Sequence, residues 1–143
     1  MRRDFHLASE LVRVRVVAIA VRALCMEHGV DEPTACEVEL AVVEAVNNSI
    51  LHAYAQAAGH SIVVSVELEA DRVVVQIRDA GRSMPPGLLA SVPDDLEFDP
   101  EDLDSLPTGG MGLILMKKVM DDVHYETIGG ENVLTLLRLR RAA

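Results

Sequence analysis

The run 37–54, Glu-Val-Glu-Leu-Ala-Val-Val-Glu-Ala-Val-Asn-Asn-Ser-Ile-Leu-His-Ala-Tyr, constrains this chain more than any other stretch. Its aliphatic residues recur at helical spacing, and Glu44 and Asn48 stand four positions apart among them. On an α-helix such a pair points within about 40° of one direction, one turn apart, so both side chains reach a single small object at the helix surface. A magnesium ion with a phosphate is one such object. Mg²⁺ takes hard oxygen ligands and keeps much of its water, so one carboxamide oxygen plus nucleotide phosphates suffices to hold it. Asn48 fits that ligand, and Glu44 fits a carboxylate that accepts the proton of an attacking hydroxyl or positions a water. Glu and Asn four apart are common, and taken alone the pair reads first as a wet helix edge.

Other residues of the same helix are less decisive. Asn47 falls among Leu40, Leu51 and Tyr54, the centre of the apolar stripe on a helical wheel. A buried amide there needs hydrogen-bond partners, either neighbouring backbone or a nucleotide site that it helps to line. His52 and Tyr54, at the helix end, read as packing and capping groups.

With 143 residues, half of them hydrophobic, the chain holds one domain around one substantial core. Its net charge of −10 and the lack of a basic patch argue against nucleic acid and anionic lipid as partners. Arg2, Arg3, Arg13, Arg15 and Arg22 gather near the start and Arg138, Arg140 and Arg141 at the end, while 94–104 is acidic. That asymmetry suits a protein partner, with the first helix and terminal strand as the expected contact surfaces. The apolar stretch 11–24 is interrupted by Arg13, Arg15 and Arg22, too short and too charged for a bilayer span or signal peptide, so a cytoplasmic location is expected. Cys25 and Cys36 lack metal-ligand spacing and read as two buried free thiols.

The elements follow in order. Residues 5–8 suit a short strand, and Ser9 with Glu10 opens a helix to His28, closed by Gly29. Asp31-Glu32-Pro33-Thr34 starts the helix of Glu44 and Asn48. Alternation over 61–70 and 73–77 predicts a hairpin with Ala70-Asp71-Arg72 at its turn and Asp79 at its end. Periodicity then stops over 80–110, a stretch with five prolines and the acidic run, long enough to read as a functional lid. Gly109-Gly110-Met111-Gly112 leads into a helical stripe of Leu113, Met116, Val119 and Met120, and 123–128 and 133–139 form a last hairpin around Gly129-Gly130.

Two of these junctions carry chemistry. Asp79-Ala80-Gly81 comes directly off a strand; a carboxylate fixed there accepts from an exocyclic amine such as that of adenine, and Gly81 lets backbone approach a flat ring, although the tripeptide also reads as a plain turn. Glycines before an amphipathic helix offer free amides and the positive helix end to an anion, or simply a hinge and cap. No Lys-Ser/Thr follows them, so this is not a Walker loop.

Taken in order, a Glu-x-x-x-Asn helix, a hairpin ending in Asp-x-Gly, a long lid and a Gly-x-Gly that opens a helix resemble the GHKL ATP-binding superfamily over nearly the whole chain. The stretches Val43-Glu44-Ala45-Val46-Asn47-Asn48-Ser49-Ile50-Leu51-His52-Ala53-Tyr54 and Gly109-Gly110-Met111-Gly112-Leu113-Ile114-Leu115-Met116, followed by Met120-Asp121-Asp122-Val123, look like the motifs of its anti-sigma factor serine kinases, which act in bacterial partner switching. The resemblance implies an α+β fold: a single two-layer α/β sandwich of the GHKL (Bergerat) type over 1–143, with a mostly antiparallel mixed sheet covered on one face by three helices and an ATP lid at about 80–110. It implies ATP and Mg²⁺ as cofactors, Glu44 as catalytic base, Asn48 as magnesium ligand, Asp79 as adenine anchor with Gly81 beside it, and Thr108, Gly109, Gly110, Met111 and Gly112 around the phosphates. It further implies transfer of a phosphoryl group to a serine of an antagonist (anti-anti-sigma) protein, sequestration of a sigma factor, and a homodimer. Arg82 and Ser83 stand where many members have a second glycine, and Thr108 where some have an arginine. A non-catalytic module that grips a partner, with ATP as a structural ligand, is the alternative; Glu44 favours the enzyme. A sensor histidine kinase fits poorly, because the chain leaves no room for a dimerisation helix pair with its phosphoacceptor histidine.

Overall fold

Local chemistry sets where each element starts and stops. The computed structural model describes residues 1–92 and 111–140. Strand β1 (Arg2–Ala8) precedes helix α1 (Leu11–Glu27), whose N-cap Glu10 makes no side-chain capping bond. Ser9, expected to open that helix, is buried and serves another purpose. Its hydroxyl donates to the Ala57 carbonyl at 2.6 Å and accepts the His60 amide at 3.0 Å, which ties the start of α1 to the approach of the next strand. Asp31 does cap helix α2 (Glu32–Asn48) by accepting the Thr34 amide at 3.3 Å, with a proline in the first turn. The helix then widens into a π-helical turn, Ser49–Ala53.

Two strands, β2 (Ser61–Leu68) and β3 (Arg72–Asp79), form the expected hairpin. After the short helix α3 (Leu88–Ser91) come helix α4 (Met111–Val119) and the strands β4 (Asp122–Ile128) and β5 (Glu131–Leu139). Gly129 and Gly130, at φ 59° and 81°, supply the positive dihedrals of the last hairpin turn.

The strands lie in the order β1-β2-β3-β5-β4. Each pairing is antiparallel, so the described sheet has no parallel pair, whereas a mixed sheet is expected from the resemblance. β3 and β4 do run in the same direction, but β5 inserts between them and converts what would be a parallel contact into two antiparallel ones. Three longer helices cover one face, α2 in the middle with α1 and α4 beside it. Ile62, Val64, Val66, Val73, Val75, Ile77, Leu134 and Leu136 point inward from alternate strand positions, and Val38, Val42, Val46, Val21 and Met116 meet them from the helices. Each such side chain contributes about 1.5–3 kcal/mol on burial. Among the described residues no helix is long and apolar enough to cross a membrane.

Three expectations are corrected here. Asn47 is half-buried rather than central, Leu40 and Leu51 are exposed, and Asn47 lines a groove between α1 and α2 with Val14 and Arg22 instead of a nucleotide site. The buried face of α2 includes Ala35, Ala41 and Ala45, whose small side chains weigh little in hydropathy yet let the helix approach its neighbours closely. Cys25 is buried, its thiol pushed up to about 11 by desolvation, but Cys36 is exposed. Arg138 and Arg140 serve the fold: Arg138 donates to the last carbonyl of α4, Val119, at 2.7 Å and pairs with Glu37 at 3.1 Å, and Arg140 donates to the carbonyls of Glu69 and His28. Arg141 lies outside the described residues.

Sheet and helix layers join tightly at one end. The Arg82 amide donates to the Ala53 carbonyl at 2.8 Å, and the Tyr54 hydroxyl accepts the Ala80 amide at 2.7 Å while donating to the Ser61 carbonyl at 2.8 Å. A Cβ on Gly81 would collide with the Ala53 carbonyl oxygen and sit 2.6 Å from its carbon. Glycine is therefore required by the chain's own close approach. Gly81→Ala should destabilise the protein by about 2 kcal/mol in urea unfolding, the usual cost of overpacking rigid backbone; a loss within about 0.5 kcal/mol would contradict this join.

Candidate functional site

A cavity of about 770 Å³ opens where α2 ends against β3 and β5, a size suited to one nucleotide-sized ligand. Its apolar wall comes from Ala45, Ile77, Leu113 and Leu134, and Met84, Pro85, Pro86 and Leu88 close it from the segment after β3. Polar groups are few: Asn48, Ser49 and His52 from the helix side, Asp79 and Asn132 from the sheet, Arg82 and Ser83 from the closing segment. The shape is that of an apolar slot with a small set of directed polar atoms.

Asp79 is the best-held of these. Only 8% exposed, its Oδ1 accepts the Gly81 amide at 3.0 Å and the Asn132 side-chain amide at 2.7 Å, and its Oδ2 accepts the Ser49 hydroxyl at 2.8 Å. Each carboxylate oxygen has two acceptor positions, so Oδ1 is full and Oδ2 keeps one, in a residue that lines the cavity. The π-helical turn explains how Ser49 comes to be there. By widening the helix one residue after Asn48 it carries the Ser49 hydroxyl towards the end of β3, and such turns recur at functional sites.

Asn48 lines the cavity one turn after Glu44. Glu44 itself packs against α4 and is not among the residues that line the cavity. A Cβ on Gly112 would come within 2.7 Å of Glu44 Oε2, so the absence of a side chain in the first turn of α4 makes the space that this carboxylate occupies. Burial raises the Glu44 carboxyl above its ordinary value. A half-buried carboxylate of raised basicity beside a helix N-terminus is a group able to take up a proton.

The segment after β3 is pinned at several points. The Met84 amide donates to the Tyr125 hydroxyl at 2.9 Å, the Ser83 hydroxyl donates to Asn132 Oδ1 at 2.8 Å, and Lys117 Nζ donates to the carbonyls of Leu89 and Val92 at 3.1 and 2.7 Å. Thus α4 supplies a cation that gathers the carbonyl end of α3.

Of the residues singled out in the sequence, Asn48 and Asp79 share the cavity, whereas Glu44 and Gly112 touch each other and are not among its lining residues. Met111 is the first residue of α4, and Gly81 packs on Ala53 rather than on the cavity. Thr108, Gly109 and Gly110 lie outside the described residues. Tyr54 packs and bonds as expected, stacking on His60 with ring centroids 4.6 Å apart, whereas His52 is exposed on the cavity wall. The sequence reading missed Ser49 and Asn132. Asn132 left a signal: it is in phase with Leu134 and Leu136, a polar residue on the inward side of an alternating strand.

Among the described residues no group of three or more His, Cys, Asp or Glu is placed to hold a metal ion. Asn48 alone on the cavity wall fits a magnesium ion that arrives already bound to phosphates, because such an ion keeps most of its ligands from phosphate and water.

The family model of the histidine kinase-like ATPase domain matches residues 7–138. The anti-sigma F factor of Bacillus subtilis (strain 168) is 30% identical over 131 residues, which cover 89% of this chain and 82% of that protein. The serine-protein kinase RsbW of Bacillus licheniformis is 29% identical over 127 residues, covering 84% and 74%. Among solved structures, the RsbU and RsbW domains of Rv1364c from Mycobacterium tuberculosis superpose with a TM-score of 0.66 at 20% identity, over 99% of this chain and 34% of that one. The SiaB-SiaC complex from Pseudomonas aeruginosa gives 0.62 at 14% identity, over 96% and 89%. At these identities the structural likenesses speak to the fold. The family match and the sequence relatives go further: this chain belongs to the histidine kinase-like ATPase domains of GHKL type, within which it is a relative of the anti-sigma F factors and RsbW serine-protein kinases.

Proposed function

We propose that this protein is an anti-sigma factor and ATP-dependent protein serine kinase that phosphorylates an antagonist protein and, in its other state, holds a sigma factor. The observation that carries the reading is a cavity-lining carboxylate with one open acceptor position, Asp79, together with Glu44 of α2, a carboxylate packed against the first turn of α4 one helical turn before the cavity-lining Asn48. A purine with an exocyclic amine fits the Asp79 end, and its triphosphate then runs along α2 past Asn48 towards α4. The names of the relatives, anti-sigma F factor and serine-protein kinase RsbW, support the substrate class.

In this reading Asn48 holds magnesium together with the phosphates, and the ion, when bound, neutralises charge that develops on the transferring group. Glu44 accepts the proton of the incoming serine hydroxyl as its oxygen bonds to the γ-phosphorus and the bond to the β-γ bridging oxygen breaks. ADP and a phosphoserine result. Apolar side chains from the walls and from the segment 80–92 line the cavity, and a ligand that displaces water from such a lining is better protected from hydrolysis as a side reaction. Exposed Val12, Val16 and Ile19 on α1 support this helix as the surface that meets a second protomer or the sigma factor.

Glu44→Gln should lower phosphate transfer to the antagonist by about 100-fold or more while ATP affinity stays within several-fold, the signature of a group used in the transition state. Equal loss of both would remove Glu44 from the base role. Asn48→Ala should instead weaken ATP binding in the presence of Mg²⁺ and leave affinity measured in chelator nearly unchanged; an unaltered Mg-ATP affinity would take Asn48 out of the metal site.

The pH dependence has a definite sign. Because burial raises the Glu44 carboxyl, the base form appears at higher pH than for a free glutamate, so the acid limb of the transfer rate should lie above the ordinary glutamate range and be absent from the residual activity of Glu44→Gln. The native state also binds this proton more tightly than the unfolded chain, and its stability contribution therefore falls as pH rises through that interval. Thermal unfolding at neutral pH should find Glu44→Gln at least as stable as the parent; a clearly lower melting temperature would contradict the assignment.

A further inference from the structure

Asn132 is 1% exposed and uses every hydrogen-bonding position it has. Its Nδ2 donates to Asp79 Oδ1 at 2.7 Å and to the Gly81 carbonyl at 3.0 Å, and its Oδ1 accepts the hydroxyls of Ser83 and Thr127, both at 2.8 Å. Two acceptors face Nδ2, so the orientation of the amide is fixed by its neighbours. No donor or acceptor is left over for a ligand. The residue therefore works through others, although it forms part of the cavity wall.

What it joins is specific. On one side stands cavity-lining Asp79, whose Oδ2 retains an open acceptor position; on the other stands Ser83, an exposed residue of the segment that closes the cavity, whose hydroxyl donates to Asn132 and also lies 3.1 Å from the Thr127 hydroxyl. A donor chain Ser83 Oγ–H to Asn132, Asn132 N–H to Asp79, polarises in one direction, and each bond strengthens the next in a buried setting. We propose that Asn132 is a positioning residue that couples closure of the segment 80–92 to the purine anchor, so that seating the base and docking Ser83 favour each other. The inference rests on the reading of this cavity as the adenine nucleotide site. Coupling of this kind is reciprocal: a base held on Asp79 fixes Asn132 and hence Ser83, and a docked Ser83 fixes Asp79 for the base. Because the link acts at the purine end, it should be felt by AMP as fully as by ATP.

Titration calorimetry with ATP and with AMP tests it. Ser83→Ala removes one hydroxyl at the exposed end of the network, so its melting temperature should fall by no more than about the few degrees that one hydrogen bond is worth, while both nucleotides bind about three- to tenfold more weakly. Asn132→Leu, close in shape but without polar atoms, should weaken both further, and adding Ser83→Ala to it should change nothing more. Asn132→Thr should recover part of the loss, since a hydroxyl both accepts from Ser83 and donates to Asp79, and Ser83→Ala should again have an effect in that background. Equal losses from Ser83→Ala in the parent and in Asn132→Leu would overturn the coupling, as would parent-like affinity in Ser83→Ala. Should Asn132→Leu fail to fold, Ser83→Ala in the parent and in Asn132→Thr decides by the same criterion. If the parent binds neither nucleotide, the reading of the cavity falls and this inference with it; if the parent binds both and Ser83→Ala is silent, this inference alone falls.

Discussion

A single buried carboxylate fastens the two layers of this fold. Asp79 sits at the last position of β3 and takes hydrogen bonds from Ser49 at the end of α2, from the Gly81 amide in the turn, and from Asn132 at the start of β5. A carboxylate taken out of water is costly unless such donors replace its solvation, so these three residues are conditions for its presence there. Once they are met, the helix end and the strand ends are held at a fixed separation, and the cavity is the space between them.

Around that point the shape depends on side chains that are missing. Gly81 lets the turn rest on the Ala53 carbonyl, and Gly112 opens the first turn of α4 to Glu44. The two glycines thus serve two ends of the helix layer's contacts: Gly81 lets the turn after β3 rest on the π-helical turn, and Gly112 leaves room for the Glu44 carboxylate against α4. Tyr54 and Arg82 brace the first of these ends through backbone hydrogen bonds. Function proposed for the cavity therefore draws on the same residues that hold the layers together, and the closing segment is tied to them through Ser83 and Tyr125.

Much of this was legible in the sequence. The alternation of β2 and β3, the capping residue Asp31, the glycine pair of the last turn and the helix of Glu44 and Asn48 all follow from local rules, and the structure realises them. What was not legible depends on tertiary register. The central position assigned to Asn47 failed because alanines, nearly silent in a hydropathy pattern, carry much of the buried face of α2. The arginines near the end of the chain looked like a binding surface, yet Arg138 and Arg140 cap carbonyls from elements far away in sequence. Ser49 and Asn132 gain meaning when a π-helical turn and a strand start are brought to the same carboxylate from 30 and 53 residues away, and no local pattern announces that.

Acceptance by Asp79 from the edge of a purine that carries an exocyclic amine, with the triphosphate extending along α2, is the interaction on which the proposed function depends. Its most direct test is a calorimetric titration of the unmodified protein with ATP and with GTP in the presence of Mg²⁺. Saturable binding of ATP, with GTP weaker by about tenfold or more because its ring presents an oxygen where adenine presents the amine, is the expected result. Equal affinities for the two, or no heat with either, would contradict it.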